Sequence, residues 1–379
     1  MKVLHLINTL SVGGAELHLL TFCRYLKRQN VEIVVACLRE HVKDSRSLRL
    51  DFEEEDIRVI NLQADSRYDS LFLGRIPRVL REERPDILHT HLPRADFAGA
   101  FVRVFHPGLV WVCSVHAIYS EDWSGRWSLP LFNLLWRRAD VMLCISHAVR
   151  DWMVGQGVPP DKARMIHYGI ELEKFSESGV DRREQWGLSD NIVIGSIGRL
   201  EPRKGHDVLI QAMPELCMRV PSARLLIAGH DPWGYGETLH RLIDELGLTE
   251  KVRLVGFQND IVSFLNALDI FALATSSEGF GQVLVEAMAT GKPVVASKIP
   301  PLTEIVIDGE TGLLVERGNP KAFAEALTHL LIDPLEQSRM GMQGRERVKE
   351  YFTAERMSQE TLLLYEELLQ RRSAFRSIA

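Results

Sequence analysis

No stretch of the 379 residues stays apolar for the roughly 20 positions that a membrane-crossing helix needs. The longest apolar stretches, such as Leu129 to Trp136, are interrupted, there by Pro130 and Asn133. The N-terminus carries one positive charge and runs into Asn8, Thr9, Ser11 and a double glycine without a small-residue cleavage site. It reads as a first strand rather than a signal peptide. Cysteine is scarce, with five residues, an odd number, and no C-x-x-C pair. Buried free thiols in a reducing cytosol are the expected state. A basic excess is missing too. The net charge is -6, which disfavours a general nucleic-acid binder, since such affinity comes from neutralising phosphates. Short-period repeats and low-complexity tracts are absent.

What is present is the composition of a water-soluble globular chain, 46% hydrophobic and 25% charged, at about twice the usual single-domain length. Two domains are expected. Residues 1–172 carry 22 Lys/Arg against 21 Asp/Glu, and residues 173–379 carry 23 against 30. Nine of the 13 histidines also fall in the first part. The halves therefore differ in surface chemistry.

Each half alternates short β-branched runs with helical patterns. In the first, Val3–Ile7, Val31–Leu38, Ile57–Leu62, Asp86–Thr90, Leu109–Val115, Val141–Ile145 and Arg164–His167 read as strands. Amphipathic stretches such as Ala15–Arg28, Leu71–Glu83 and Leu129–Arg138 read as crossover helices. The pattern weakens from Glu171 to Asp190, where a linker is expected. A second series runs through Ile192–Ile197, Ala223–Ala228, Val252–Val255, Ile270–Ala274, Pro293–Ser297 and Gly312–Val315. Two doubly wound parallel sheets in tandem account for both series. The segment Glu355–Arg372 reads as a final helix, packing back across the boundary.

Two loops of the second half suggest chemistry. Gly195 to Gly205 is a Gly-rich turn between strand and helix that carries Arg199, Arg203 and Lys204. It matches neither a Walker A loop nor G-x-G-x-x-G. Phosphate binding and a solvated basic turn both remain open for it. Thr275 to Ala289 is more informative, with two glycines, a helix beginning near Gln282, and two carboxylates, Glu278 and Glu286. The helix dipole favours an anion there. Carboxylates on either side suit hydroxyl groups, so a diphosphate with a sugar at one end and a ribose at the other fits.

The first half is less explicit. Gly13-Gly14 reads equally as a tight turn or as a place of close ligand approach. His116, at the end of a buried strand, reads as structural when taken alone. His89 and His91 alternate on one strand, but no third or fourth ligand stands at a spacing that supports a metal.

Glu278-x7-Glu286, with Glu-Gly-Phe-Gly at its start and Glu-Ala-Met-Ala-x-Gly-x-Pro-Val-Val after it, resembles the signature of the group 1 retaining glycosyltransferases. So do Gly198-Arg199-Leu200 with Lys204-Gly205, Leu226–Gly229, and Leu302–Val306 followed by Gly309-x-x-Gly312. In the first half Gly13–Glu16, Asp86–His91, Ser114–His116 and Tyr168–Ile170 stand at the family's places. The resemblance spans essentially the whole chain.

It implies an α/β protein of GT-B architecture, with two Rossmann-like doubly wound parallel-sheet domains facing each other across a cleft. Residues 1–172 would form the acceptor side and 173–354 the nucleotide-sugar donor side, with the helix from about 355 to 379 packing back on the first. The implied reaction moves a hexose-type sugar from a nucleoside-diphosphate sugar, as co-substrate and with no further cofactor, to an acceptor hydroxyl with retained configuration. Polysaccharide, glycolipid or cell-envelope glycan synthesis is the setting, the acceptor being a glycan, glycolipid or small molecule. Arg199 and Lys204 would hold the donor diphosphate, Glu278 the sugar hydroxyls, and Glu286 the ribose. Backbone of Gly279, Phe280 and Gly281 would line the sugar and phosphate sites, with the Gln282, Val283 and Leu284 amides near the diphosphate. Gly13 and Gly14 would close over the donor, and His116 would lie beside the reacting sugar. His116, Arg199, Lys204 and Glu278 form the implied catalytic set.

Two departures from the family stand out: Glu171 in place of Asp after Gly-Ile, and His230-Asp231-Pro232 where Gly-x-Gly-Pro is common. Glycosyltransferases of the other common fold hold a cation with Asp-x-Asp, and no two aspartates here are two residues apart. No metal is expected, and transfer without one. The rivals are an epimerase or phosphorylase on the same fold, or a noncatalytic sugar-nucleotide module. The expected location is cytoplasmic. A peripheral contact with an anionic membrane face is left open through Trp136, Arg137, Arg138 and the Arg371, Arg372, Arg376 tail. Aromatics between Ile118 and Trp127 are left open as an acceptor or lipid contact.

Overall fold

The computed structural model describes residues 1–40, 46–64, 72–119, 133–176 and 183–378. Most of the Ile118–Trp127 segment, the start of the Leu129–Arg138 helix and part of the expected linker lie outside them. The chain divides into two contact units, one of Met1–Gly169 with Ala354–Ala379 and the other of Ile170–Thr353.

In the first unit the described residues form strands β1 (Lys2–Ile7), β2 (Glu32–Cys37), β3 (Arg58–Asn61), β4 (Ile87–His91), β5 (Val110–Val115), β6 (Val141–Cys144) and β7 (Ala163–Met165). They are parallel, in the order β3-β2-β1-β4-β5-β6-β7. A parallel strand is covered on both faces, and every residue of β4, β5 and β6 is buried. That is why these strands read in sequence as apolar runs. Register sets His5 of β1 beside His89 of β4, and His91 beside Ser114 of β5.

One face is covered by helix Gly14–Arg28, through Leu19, Phe22, Cys23 and Leu26, and by the helix Ala354–Ile378 lying along it. The latter buries Met357, Leu364, Tyr365 and Leu368. Its Tyr365 hydroxyl meets His89 Nδ1 at 2.5 Å, deep in the sheet. On the other face lies helix Pro93–Phe105, drawn close by Gly99, where a Cβ would stand 2.5 Å from Trp111 Nε1. Asp96 of that helix is buried and accepts from Thr90 Oγ1 at 2.7 Å and Trp136 Nε1 at 3.1 Å. Burial pushes its carboxyl up to about 6.

Trp136 is thus a core residue, 1% exposed, and is unavailable to a membrane. Arg372 is likewise committed, to the Pro107 carbonyl and to Asp140 at 3.7 Å, and Arg371 pairs with Glu367. The Arg376 side chain lies outside the described residues. Tyr119, one of the aromatics left open above as an acceptor or lipid contact, is buried against Trp136 and Trp152.

The second unit has strands β8 (Ile192–Ile197), β9 (Ala223–Ala228), β10 (Val252–Gly256), β11 (Ile270–Leu273), β12 (Val294–Ser297) and β13 (Leu313–Val315). All are parallel, in the order β10-β9-β8-β11-β12-β13. Helices His206–Arg219 and Pro320–Ile332 pack together over its core through Leu209, Met213, Phe323 and Leu327. In each sheet the chain winds outward in both directions from one central pair, β1/β4 in the first and β8/β11 in the second. At such a pair the following loops diverge and leave a crevice at the carboxyl ends of the strands.

All five cysteines are unpaired, four buried and Cys217 half-buried. Among the described residues no helix is long and apolar enough to cross a membrane. Tyr365→Phe should strand His89 Nδ1 without a partner in the core. We expect a loss of about 1–3 kcal/mol, read as a lower urea midpoint, and an unchanged midpoint would show that this contact does not anchor the C-terminal helix.

Candidate functional site

The loops that leave β8 and β11 meet at the second unit's central crevice. Gly205 ends the first loop in the left-handed region, at φ 66°, and a Cβ there would stand 2.1 Å from the Ala274 carbonyl oxygen. Only glycine permits this approach. Arg203 then clasps the second loop. Its Nη1 donates to the Ser277 carbonyl at 2.6 Å, and its own carbonyl accepts from the Ser276 amide at 2.8 Å and Thr275 Oγ1 at 3.0 Å. Lys204, between these two residues, reaches Glu278 with Nζ to Oε1 2.5 Å. Their side chains are only 13% and 10% exposed, so the pair sits mostly out of water.

Arg199 lies apart from this pair. Its guanidinium stacks over Trp233, 5.2 Å from the ring centroid, and approaches Glu201 at 3.3 Å. Half of its side chain is exposed. Asp231, one of the departures from the family pattern, caps the helix Tyr235–Glu245 by accepting from the Tyr235 and Gly236 amides at 2.8 and 3.0 Å. Its carboxylate therefore serves the helix start.

Helix Gln282–Ala289 begins directly after Gly281, whose φ of 104° lies in the region that favours glycine. The cap residue Gly281 has no side chain, and among the described residues no side chain caps this end. The Leu284 amide bonds to the Gly281 carbonyl at 2.9 Å, so the Gln282 and Val283 amides are the ones that can turn toward an anion. Phe280 is buried edge-on against Phe352. Glu286, one turn in, accepts from Gln282 Nε2 at 2.9 Å. Burial pushes its carboxyl up to about 7, with the Gln282 bond and Lys174 opposing the shift.

In the first unit Gly13 precedes helix Gly14–Arg28 with φ -163°, extended backbone open to any residue. A Cβ on Gly13 would meet only the flexible tip of Glu16, and one on Gly14 nothing within 4 Å. Neither the turn nor the packing demands these glycines. His116 follows β5. Its Nε2 is 3.1 Å from His91 Nδ1, and its Nδ1 meets the Tyr168 hydroxyl. His91 Nε2 in turn is 3.0 Å from His5 Nδ1.

The sequence reading named Lys204, Glu278 and Glu286 but not the clasp by Arg203, which reaches the second loop through the Ser277 carbonyl, a backbone acceptor that carries no sequence signal. It named His89 and His91 and found no third ligand by spacing. The parallel pairing of β1 with β4 supplies His5, with nitrogens of the three within 4.8 Å of one another.

Residues 181–347 match the family described as glycosyl transferases group 1, and residues 12–174 match glycosyltransferase family 4. A D-inositol 3-phosphate glycosyltransferase of Corynebacterium efficiens is 35% identical over 89% of this chain and 87% of its own. A GDP-mannose-dependent alpha-(1-6)-phosphatidylinositol monomannoside mannosyltransferase of Mycolicibacterium smegmatis is also 35% identical, over 62% of this chain and 64% of its own. Among solved structures, Anabaena HepE in complex with UDP superposes with a TM-score of 0.86 at 25% identity, covering 97% of this chain and all of that one. With two parallel-sheet units and these relatives, the chain belongs to the group 1 glycosyltransferases and has the GT-B fold.

Proposed function

We propose that this glycosyltransferase moves a hexose-type sugar from a nucleoside-diphosphate sugar to an acceptor hydroxyl with retention of configuration. The acceptor is a glycan, glycolipid or small molecule of polysaccharide or cell-envelope synthesis. The observation that carries the reading is the Lys204–Glu278 pair at the β8/β11 crevice, beside a helix start that no side chain caps among the described residues. Cation and carboxylate neutralise each other in this pair. With donor bound, Lys204 turns to the diphosphate and Glu278 accepts from sugar hydroxyls. Arg199 leaves Trp233 to share the diphosphate charge. Glu286 takes the ribose hydroxyls, and Gly279 to Leu284 supply backbone along the sugar and diphosphate. Gly13 and Gly14, which their own unit does not require, serve donor approach, and His116 lies beside the reacting sugar.

The bond from the anomeric carbon to the diphosphate oxygen breaks as the acceptor oxygen bonds on the same face. The acceptor proton passes to the departing phosphate oxygen. Catalysis then rests on positioning the two reactants and on stabilising the diphosphate as it leaves. The relatives' names mention both UDP and GDP-mannose, so donor choice is an experimental question. Among UDP- and GDP-sugars, at least one should raise the melting temperature by mass action. Lys204→Ala should remove that protection and lower turnover by about 100-fold or more. Equal protection in wild type and variant would refute the assignment of Lys204.

Cation side chains and helix amides supply the positive charge, and we propose transfer without a divalent metal. Turnover should survive EDTA; abolition by EDTA with recovery in magnesium or manganese would overturn this.

Glu286 gives a pH signature. Its carboxyl, raised from 4.5 to about 7 in the folded protein, holds a proton that the unfolded chain releases in that interval. The stability this contributes is complete below pH 4.5 and is lost as pH rises through 7. Ribose hydroxyls donate to the ionised form, so donor binding expels the proton. Donor affinity should rise about tenfold from pH 6 to pH 8 and be flat in Glu286→Gln. A flat profile in the wild type, measured by titration calorimetry, would exclude this role.

A further inference from the structure

A line of imidazoles crosses the first unit from core to surface. His5 Nδ1 lies 3.0 Å from His91 Nε2, His91 Nδ1 lies 3.1 Å from His116 Nε2, and His116 Nδ1 meets the Tyr168 hydroxyl. The ring centroids of each successive histidine pair are 5.3 Å apart, at interplanar angles of 29° and 35°. With nitrogens about 3 Å apart between centroids at that spacing, the rings meet edge to edge and not face to face. His5 and His91 are fully buried, whereas His116 is half-buried. His89 is outside the line. It stacks on His91 at 4.3 Å and bonds to Tyr365 and Ser114.

Each ring is neutral at pH 7, since burial brings His5 and His116 down to about 3 and holds His91 well below its ordinary value. A neutral imidazole has one donor and one acceptor nitrogen. The protons of the line must therefore all point one way. Either His5 donates to His91, His91 to His116 and His116 to Tyr168, or every bond is reversed.

The far end decides. His5 Nε2 is buried and has no hydrogen-bond partner among the described residues. In the first direction it is an idle lone pair, and in the second it is an N–H with no acceptor. Orphaned buried N–H groups are rarer than under-used acceptors. We propose that the line runs from His5 to Tyr168, that it fixes His5, His91 and His116 in the Nδ1–H tautomer, and that His5 and His91 are positioning residues for His116. With both ring nitrogens engaged, His116 presents a fixed, uncharged imidazole and is no free proton carrier. The tautomer assignment stands apart from the proposed function, and its bearing on turnover rests on that reading.

Long-range proton–nitrogen spectra of protein labelled with ¹⁵N-histidine test the assignment without substrate, single replacements identifying the signals. At pH 7.5 His5, His91 and His116 should each show a protonated Nδ1 and an unprotonated Nε2. An Nε2–H or charged form at any of the three overturns the proposal. So does a stoichiometric transition metal in the untreated protein, because His5, His89 and His91 would then be ligands and not a proton line.

Turnover supplies the second arm. His91→Phe removes the donor to His116 Nε2 and should lower kcat about 10- to 100-fold at nearly unchanged donor KM. His91→Gln, whose amide can donate, should recover part of it. Normal kcat in a folded His91→Phe overturns the positioning role. If these variants fail to fold, the wild-type spectrum still decides the tautomer. If wild type turns over no nucleotide sugar yet shows the expected spectrum, the proposed function fails and the line stands.

Discussion

The geometry of the second unit's crevice depends on one close approach, the Gly205 backbone against the Ala274 carbonyl. A Cβ would stand 2.1 Å from that oxygen, so any side chain at 205 would drive the two loops apart. Because Lys204 immediately precedes Gly205, the contact also sets where the ammonium stands. Arg203 on the other side completes the fastening through carbonyl acceptors, its own and that of Ser277, with the Thr275 and Ser276 hydroxyls as the side chains of the second loop that take part. Glu278 is thereby left to Lys204, with Arg203 no nearer than 4.0 Å. Lys204 and Glu278 stand 74 positions apart in sequence and become neighbours because β8 and β11 are adjacent strands.

The strands were legible because a parallel strand covered on both faces leaves little choice of residue. The fully buried β4, β5 and β6 read as apolar runs for this reason. The C-terminal helix was legible where Met357, Leu364, Tyr365 and Leu368 repeat, but it runs to Ile378, past the last of these. In the site, residue types that carry charge could be named, and their alliances could not. Arg199 looks like Lys204 in sequence, yet its guanidinium lies on Trp233. Trp136 looked like a surface aromatic beside two arginines; its indole N–H is taken by buried Asp96. His5 carried no signal, since only strand pairing brings it beside His89 and His91.

The overall charge of -6 conceals a larger asymmetry once the units are known. The first unit, with its C-terminal helix, has 26 Lys/Arg against 24 Asp/Glu, while the second has 19 against 27. The more acidic unit is the one that brings Arg203 and Lys204 to the β8/β11 crevice. Exposed carboxylates elsewhere are screened by solvent within about 10 Å, while a cation that is 13% exposed acts on its neighbours at much higher effective strength. Net charge therefore says little about a site whose charges are few and partly buried.

The two units thus handle polarity differently. In the second, partly buried charges are paired, so any ligand that separates Lys204 from Glu278 must satisfy both, which selects for a molecule with an anion next to hydroxyl groups. In the first, burial keeps the histidines uncharged. A buried ion that loses its partner is far more costly than a neutral ring that loses one bond. A neutral line also has only two states, one for each proton direction, and the unpartnered nitrogen of His5 separates them in energy. What reaches His116 from the core is therefore a direction of hydrogen bonding rather than a charge. Such a direction holds one ring in one orientation without adding a charge to the core.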